Sequence, residues 1–177
     1  MIDVLILGAG GAGLMCAIEA GKRGRKVVVL DHAKKAGGKI LISGGGRCNF
    51  TNTGTEAEAY VSENPHFAKS ALSRFVPDDF IALVKTRGIP FHEKKLGQLF
   101  CDRSARDIVA MLVAECEKVH ARICLEIQVR GVRKIDGGFA VETDRGAFAA
   151  PSLVVATGGL SLPKVGATGL GLSLIHI

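Results

Sequence analysis

With 177 residues, 47% of them hydrophobic, the chain can bury a sizeable core, and its length points to one domain with at most a small extra subdomain. A formal charge of +6 admits an anionic partner, but no more than two Lys/Arg are adjacent, and one Tyr with no Trp leaves few rings for base stacking, so a nucleic-acid partner is not expected. Five cysteines, an odd number without a C-x-x-C pair, argue against a disulfide framework and against a zinc or other metal site. No run approaches the ~18 apolar residues of a membrane span and no basic leader opens the chain, so a cytoplasmic protein is expected.

Residues Asp3 to Leu7 form an unbroken apolar run, the pattern of a parallel strand buried on both faces. Gly8 to Gly13 follow. Leu14 to Arg23 reads as a helix with Ala12, Met15 and Ile18 toward the sheet, closed by Gly24. Lys26 to Leu30 is a second buried strand ending at Asp31. Together these make one β-α-β unit.

Residues 32–66 are rich in loop formers and enclose the run GGKILISGGGRCNFTN. Helices are expected over Phe67–Phe75 and Asp78–Arg87, with Pro77 at the start of the second, where a missing N–H costs nothing. Ser104 has the character of an N-cap for a helix reaching Val119, and Cys116 lies within its apolar pattern. Arg122–Val129 reads as a third strand. The turn signals Asp136-Gly137-Gly138 and Asp144-Arg145-Gly146 predict a small antiparallel meander over residues 131–149. Leu153–Ala156 is a further buried strand running into Thr157-Gly158-Gly159. The expected class is α/β: a Rossmann-like parallel sheet with helices on both faces and a meander after the third strand, spanning 1–171.

Gly8-Ala9-Gly10-Gly11-Ala12-Gly13 fits G-x-G-x-x-G. The pattern alone is weak; directly after a strand, opening a helix, and with an acid ending the next strand, it becomes a strong dinucleotide signal. Gly8 permits the tight turn, Gly10 lets the backbone approach a pyrophosphate, and Gly13 lets the helix pack close to the strand. The amides at Gly11 and Ala12 open the helix, whose N-terminus favours an anion. Asp31 can accept hydrogen bonds from ribose hydroxyls. That acid disfavours a 2′-phosphate in this pocket but does not separate NAD from FAD.

The segment Lys39 to Asn52, with three consecutive glycines beside Arg47 and Asn49, has no place in a simple NAD dehydrogenase. Here the chain resembles the BaiN/YhiN-type bacterial NAD(P)/FAD-dependent flavoproteins, some described as aminoacetone-oxidase-like. The resemblance rests on the first glycine loop, KILISGGGRCNFTN, Leu96-Gly97-Gln98-Leu99-Phe100-Cys101, and Ala156-Thr157-Gly158-Gly159 with Gly166-Ala167-Thr168. It implies FAD in a two-dinucleotide-binding-domain fold. Gly8, Gly10, Ala12 and Gly13 would hold the pyrophosphate and Asp31 the adenosine ribose. Lys39, Arg47, Cys48 and Asn49 would lie along the flavin, Val129 would contact adenine through its backbone, and Ala156, Thr157 and Gly158 would pass close to the cofactor. Gly38 stands where relatives usually carry Arg, which removes one phosphate contact. The resemblance also implies a longer parent supplying a substrate-side domain. Residues 172–177 match nothing in the family and read as a foreign or truncated end, and the isolated chain is expected to be inactive.

Single residues carry two readings each. Cys48 invites a redox role, but no other cysteine lies within ten residues of it, so a packed or cofactor-contacting thiol is expected and Cys101 is read as structural. Arg47 either stabilises negative charge on reduced flavin or pairs with a surface carboxylate. His32 lines the adenine side or faces solvent. Cys16 and Cys124 are expected to be buried small hydrophobes. The function these readings support is an FAD-dependent oxidoreductase passing a hydride or electrons between a small substrate, or NAD(P)H, and an acceptor. The alternative is a non-catalytic dinucleotide-binding module. Substrate, catalytic residues and oligomeric state are not assigned by the sequence.

Overall fold

The computed structural model describes residues 1–159 together with Gly169, Gly171 and Ser173. The motif Gly166-Ala167-Thr168, and all of the 172–177 tail except Ser173, lie outside the described residues. In chain order the elements are β1 (Val4–Leu7), α1 (Gly11–Lys22), β2 (Val27–Leu30), α2 (Gly38–Ile42), β3 (Asn49–Asn52), α3 (Lys69–Arg74) and α4 (Pro77–Thr86). There follow β4 (Phe91–Glu93), β5 (Gln98–Cys101), α5 (Ala105–Lys118), β6 (Arg122–Cys124), β7 (Val129–Ile135), β8 (Gly138–Thr143), β9 (Gly146–Ala150) and β10 (Ser152–Val155). The chain forms two compact units, one of Met1–Lys39 with the residues from Leu112 onward, the other of Ile40–Met111.

The first unit holds a four-stranded parallel sheet in the order β10-β1-β2-β6. Val4 to Leu7 pair in step with Ser152–Val155 on one side and Val27–Leu30 on the other. β1 and β2 are apolar at consecutive positions because both faces are covered, whereas β10, expected as a buried strand, is only partly buried, with Ser152 and Val155 exposed at its ends. Leu5, Leu7, Val28 and Leu30 point into a cluster with Ile127, Val141 and Ala150, flanked by Val132 and Phe148. That side is packed by the three-stranded antiparallel sheet β7-β8-β9, the expected meander. The pleat turns Ile6 and Val29 the other way, and there α1 buries Gly13, Leu14, Ala17 and Ile18. Each fully buried leucine contributes about 2 kcal/mol.

Several sequence expectations shift. Helix α1 starts at Gly11 rather than Leu14, and Ile18 is buried as expected, but Ala12 is exposed and Met15 half-buried, while Leu14 and Ala17 take the core. Gly24 does end the helix, at φ +73°, with its N–H donating to the Gly21 carbonyl. The third strand is only Arg122–Cys124, because the chain breaks at Glu126 (φ +56°) before entering β7. Cys116 is buried, and its thiol donates to the Leu14 carbonyl at 3.6 Å. Burial pushes that thiol up to about 11. Cys16 and Cys124 are only partly buried.

The second unit contains an antiparallel sheet, β3-β5-β4, which the sequence pattern does not announce. Its strands are three or four residues long, and Asn49-Phe50-Thr51-Asn52 has the composition of a turn. What makes it a strand is pairing with distant partners, Asn49 with Phe100 and Asn52 with Gln98. The ring of Phe50 sits 5.4 Å from Phe91 edge-on and 6.0 Å from Phe80 of α4. Ile81 and Val84 of α4 complete the packing. Pro77 is at the first turn of α4 as expected, and Ser104 Oγ accepts the Arg106 N–H at 3.2 Å at the start of α5. No helix among the described residues is long and apolar enough to cross a membrane.

Candidate functional site

In the turn from β1 into α1, Gly8, Gly10 and Gly13 are glycine for different reasons. Gly8 has φ +108°, and a Cβ there would strike the Ala156 carbonyl and lie 3.1 Å from the Thr157 Cα. A Cβ on Gly13 would fall on the Gly8 carbonyl oxygen, with the Ile6 side chain 3.4 Å away. These two positions are fixed by packing. Gly10 is different. Its backbone is extended (φ −82°, ψ −174°), open to any L-residue, and no heavy atom lies within 4 Å of a Cβ placed on it. Neither conformation nor packing asks for glycine at Gly10. A bare backbone facing open space is what close approach of a diphosphate requires.

The helix behind it is prepared for an anion. Gly10 is the N-cap of α1, no side chain caps the helix, and its first turn carries no acidic residue. The first N–H groups of a helix have no partner within it and carry its positive dipole end. Gly11 and Ala12 form the outer edge of that turn, Gly11 half-buried and Ala12 exposed.

Asp31 stands beside this turn. One carboxylate oxygen accepts the Ala9 N–H at 2.6 Å, the other the Ala33 N–H at 2.8 Å. The carboxylate thus ties the glycine turn to the end of β2. Each oxygen retains a lone pair, and the side chain is 15% exposed, enough to meet a ribose hydroxyl. The neighbouring backbone is equally tied: Gly37 N–H donates to the Ala9 carbonyl at 2.8 Å, and Ile127 N–H to the Asp31 carbonyl at 2.9 Å. That last bond brings the approach to β7 alongside Asp31. Val129 begins β7, paired with Thr143 and partly buried against the core cluster.

The far strand closes the same place. Ala156 N–H donates to the Leu7 carbonyl at 2.8 Å, so Ala156 and Thr157 run beside Gly8. Gly158 has φ +72°, and a Cβ there would meet Lys39 Nζ at 3.2 Å. Lys39 Nζ donates to the Gly159 carbonyl at 2.9 Å. His32 is exposed, its Nδ1 3.5 Å from Asp31. Of the residues singled out in the sequence, Gly8, Gly10, Gly11, Ala12, Gly13, Asp31, His32, Lys39, Ala156, Thr157 and Gly158 therefore surround the β1–α1 turn or its flanks. The anchors Ala33 and Gly37 were missed, since backbone donors carry no sequence signature.

Arg47, Cys48 and Asn49 belong to the second unit. Arg47 is exposed and Cys48 is 4% exposed, at φ +50°. The Asn49 amide, in the orientation its neighbours' carbonyls require, donates to Leu99 O at 3.2 Å and Thr51 O at 3.1 Å. Asn49 thus holds its own sheet together. Burial raises the Cys48 thiol above its ordinary value, a hydrogen bond with Ser43 partly opposing this. Among the described residues no group of three or more His, Cys, Asp or Glu could hold a metal ion.

A parallel sheet, a glycine turn bare at Gly10 and a carboxylate at the end of the next strand define a Rossmann-type nucleotide-binding domain. The chain belongs to the HI0933-like family, whose Rossmann-domain model matches residues 2–176. It is 53% identical over 169 residues to a ribosomal RNA dihydrouridine synthase of Escherichia coli K12, covering 96% of this chain and 42% of that protein. To the protein of the same name from Haemophilus influenzae it is 50% identical, covering 94% and 43%. The chain thus spans less than half the length of these relatives. The aminoacetone-oxidase label attached to the resemblance is not the name these relatives carry. Among solved structures, the 3-ketosteroid-Δ4-(5α)-dehydrogenase of Rhodococcus jostii RHA1 shares the fold, with TM-score 0.62 and 18% identity over 89% of this chain and 46% of that one.

Proposed function

We propose that this chain is the dinucleotide-holding part of a longer FAD-dependent reductase that saturates the C5–C6 bond of a uridine in ribosomal RNA. The observation that carries the reading is 53% and 50% identity, across nearly the whole chain, to two ribosomal RNA dihydrouridine synthases. The geometry of the β1–α1 turn supports the cofactor half of it, since Gly10 leaves room for a diphosphate that packing does not need. FAD, when bound, supplies the hydride chemistry.

The chain's own residues then have defined tasks. The amides from Gly10 to Gly13 bind the diphosphate, and Asp31 holds the adenosine ribose while bracing the turn through the Ala9 N–H. Val129, Ala156, Thr157 and Gly158 line the cofactor. Lys39 serves the flavin side, with His32 at the adenine edge. NAD(P)H is the proposed electron donor and the cytoplasm the proposed compartment. An RNA partner departs from the expectation drawn from the sparse aromatics. An enzyme that works on one base needs a pocket for that base rather than a row of exposed stacking rings, and the +6 charge suits a polyanionic substrate.

The test uses the full-length parent, loaded with FAD and given NADPH or NADH and ribosomal RNA from cells lacking the gene. Dihydrouridine appearing in the nucleoside mass spectrum supports the reading. Flavin that is reduced by the nucleotide yet leaves every uridine intact overturns the substrate. A protein that binds NAD(H) and takes up no FAD overturns the cofactor and leaves the non-catalytic module.

A further inference from the structure

Two cysteines that the sequence holds far apart are brought together by the second unit. Asn49, the first residue of β3, pairs with Phe100 of β5, and Cys48 precedes it just outside the ladder, at φ +50°, while Cys101 follows Phe100. The Cys101 N–H donates to the Arg47 carbonyl at 2.9 Å, which fixes the backbone entering Cys48 against the end of β5. Because the Arg47 carbonyl is one peptide bond from Cys48, this bond keeps the two cysteine Cα atoms within about 7 Å, the upper reach of a disulfide, and the charge of a Cys48 thiolate is felt at Cys101. Both side chains are buried, Cys48 at 4% and Cys101 at 0% exposure.

We propose that Cys48 and Cys101 are a latent disulfide pair, joined by a two-electron oxidant such as a peroxide, which ties the glycine turn Ser43–Gly46 to β5. With hydrogen peroxide, one thiolate attacks an oxygen, giving a sulfenic acid and hydroxide. The second thiol then attacks that sulfur, the S–S bond forms and water leaves. Two S–H bonds are broken, both sulfurs are oxidised by one electron each, and the peroxide is reduced to two waters.

The surroundings set the rate. Burial raises both thiols, Cys101 to about 12, so the attacking thiolate is scarce at neutral pH. For Cys101 the negative charge of a Cys48 thiolate and the carboxylates of Asp107 and Asp102 add to this, while Arg103 opposes it. For Cys48 the Ser43 hydrogen bond opposes it. The pair is therefore slow to close. It is also slow to reopen, because a buried S–S bond is shielded from soluble thiols. Closing it encloses a loop of about 54 residues, which restrains the unfolded chain. The Ser43–Gly46 turn is already pressed on β5, since Gly44 would place a Cβ 2.7 Å from the Phe100 ring. The bond would make that contact permanent. This proposal does not depend on the reaction assigned to the parent protein.

The experiment treats the folded chain with hydrogen peroxide at about pH 7 and about pH 8, blocks remaining thiols, and maps peptides without reductant. The expected product is a Cys48–Cys101 crosslinked peptide, about 2 Da lighter than its two halves, forming about tenfold faster at the higher pH. Cys48→Ser and Cys101→Ser each abolish it, while Cys16→Ser leaves it intact. The wild-type peptide map decides even if one of those variants fails to fold. Either cysteine remaining alkylatable in the folded oxidised chain, Cys48 pairing elsewhere, or Cys48 passing to a sulfinic acid would overturn the proposal.

Discussion

The first glycine turn, Gly8–Gly13, and the second, Gly44–Gly46, look alike in sequence and use glycine for different reasons. In the second, backbone conformation accounts for the residues: Gly44, Gly45 and Gly46 have φ of +57°, +67° and +85°, and Gly44 is also pressed on the Phe100 ring and the Asn49 backbone. In the first, Gly8 and Gly13 are explained by contact with their own fold, and Gly10 by nothing inside the protein. A glycine left over after conformation and packing have been accounted for is the better mark of a ligand than the number of glycines in a row.

Substitutions can break this comparison. The largest effect is expected at Gly13→Ala, whose Cβ falls on the Gly8 carbonyl oxygen. Helix α1 must move off β1, at a cost of about 3 kcal/mol or more, read from the urea midpoint. Gly44→Ala combines a left-handed backbone with a clash against Phe100, and should cost about 2 kcal/mol in the same measurement. Asp31→Ala strands the Ala9 and Ala33 N–H groups and should lose about 2 kcal/mol. Asp31→Asn keeps an acceptor and should recover part of that.

Gly45→Ala meets no neighbour, so only its positive φ opposes it, and about 1 kcal/mol is expected. Gly10→Ala should change stability least, by less than about 0.5 kcal/mol. On the dinucleotide-binding reading it nonetheless lowers FAD affinity of the full-length protein by about tenfold or more, measured by calorimetric titration. Unchanged affinity with unchanged stability at Gly10 would remove the distinction between the two turns.

Legibility followed the range of the interactions. β1, α1, β2 and α4 were readable because hydrophobic period and punctuation are local, and Gly24 and Pro77 sit at the helix ends that their backbones suit. Of the residues expected on the inner face of α1, Ile18 is there and Ala12 and Met15 are not, because the helix is apolar nearly all round and only packing on the sheet selects its face. β3 was not readable, since a strand this short exists only through its partner β5, some fifty residues away, and β4 and β5, paired with each other close in sequence, are too short to show a period.

By itself the sequence determined a β-α-β unit with a glycine turn and an acid at the end of the second strand, because those features depend on neighbours along the chain. Only the tertiary structure decided that Gly10 is free of packing where Gly8 and Gly13 are not, that the meander rather than helices alone covers one side of the sheet, and that Cys48 and Cys101 adjoin. These are properties of distance between segments remote in sequence, fixed by strand register and core packing rather than by any local pattern.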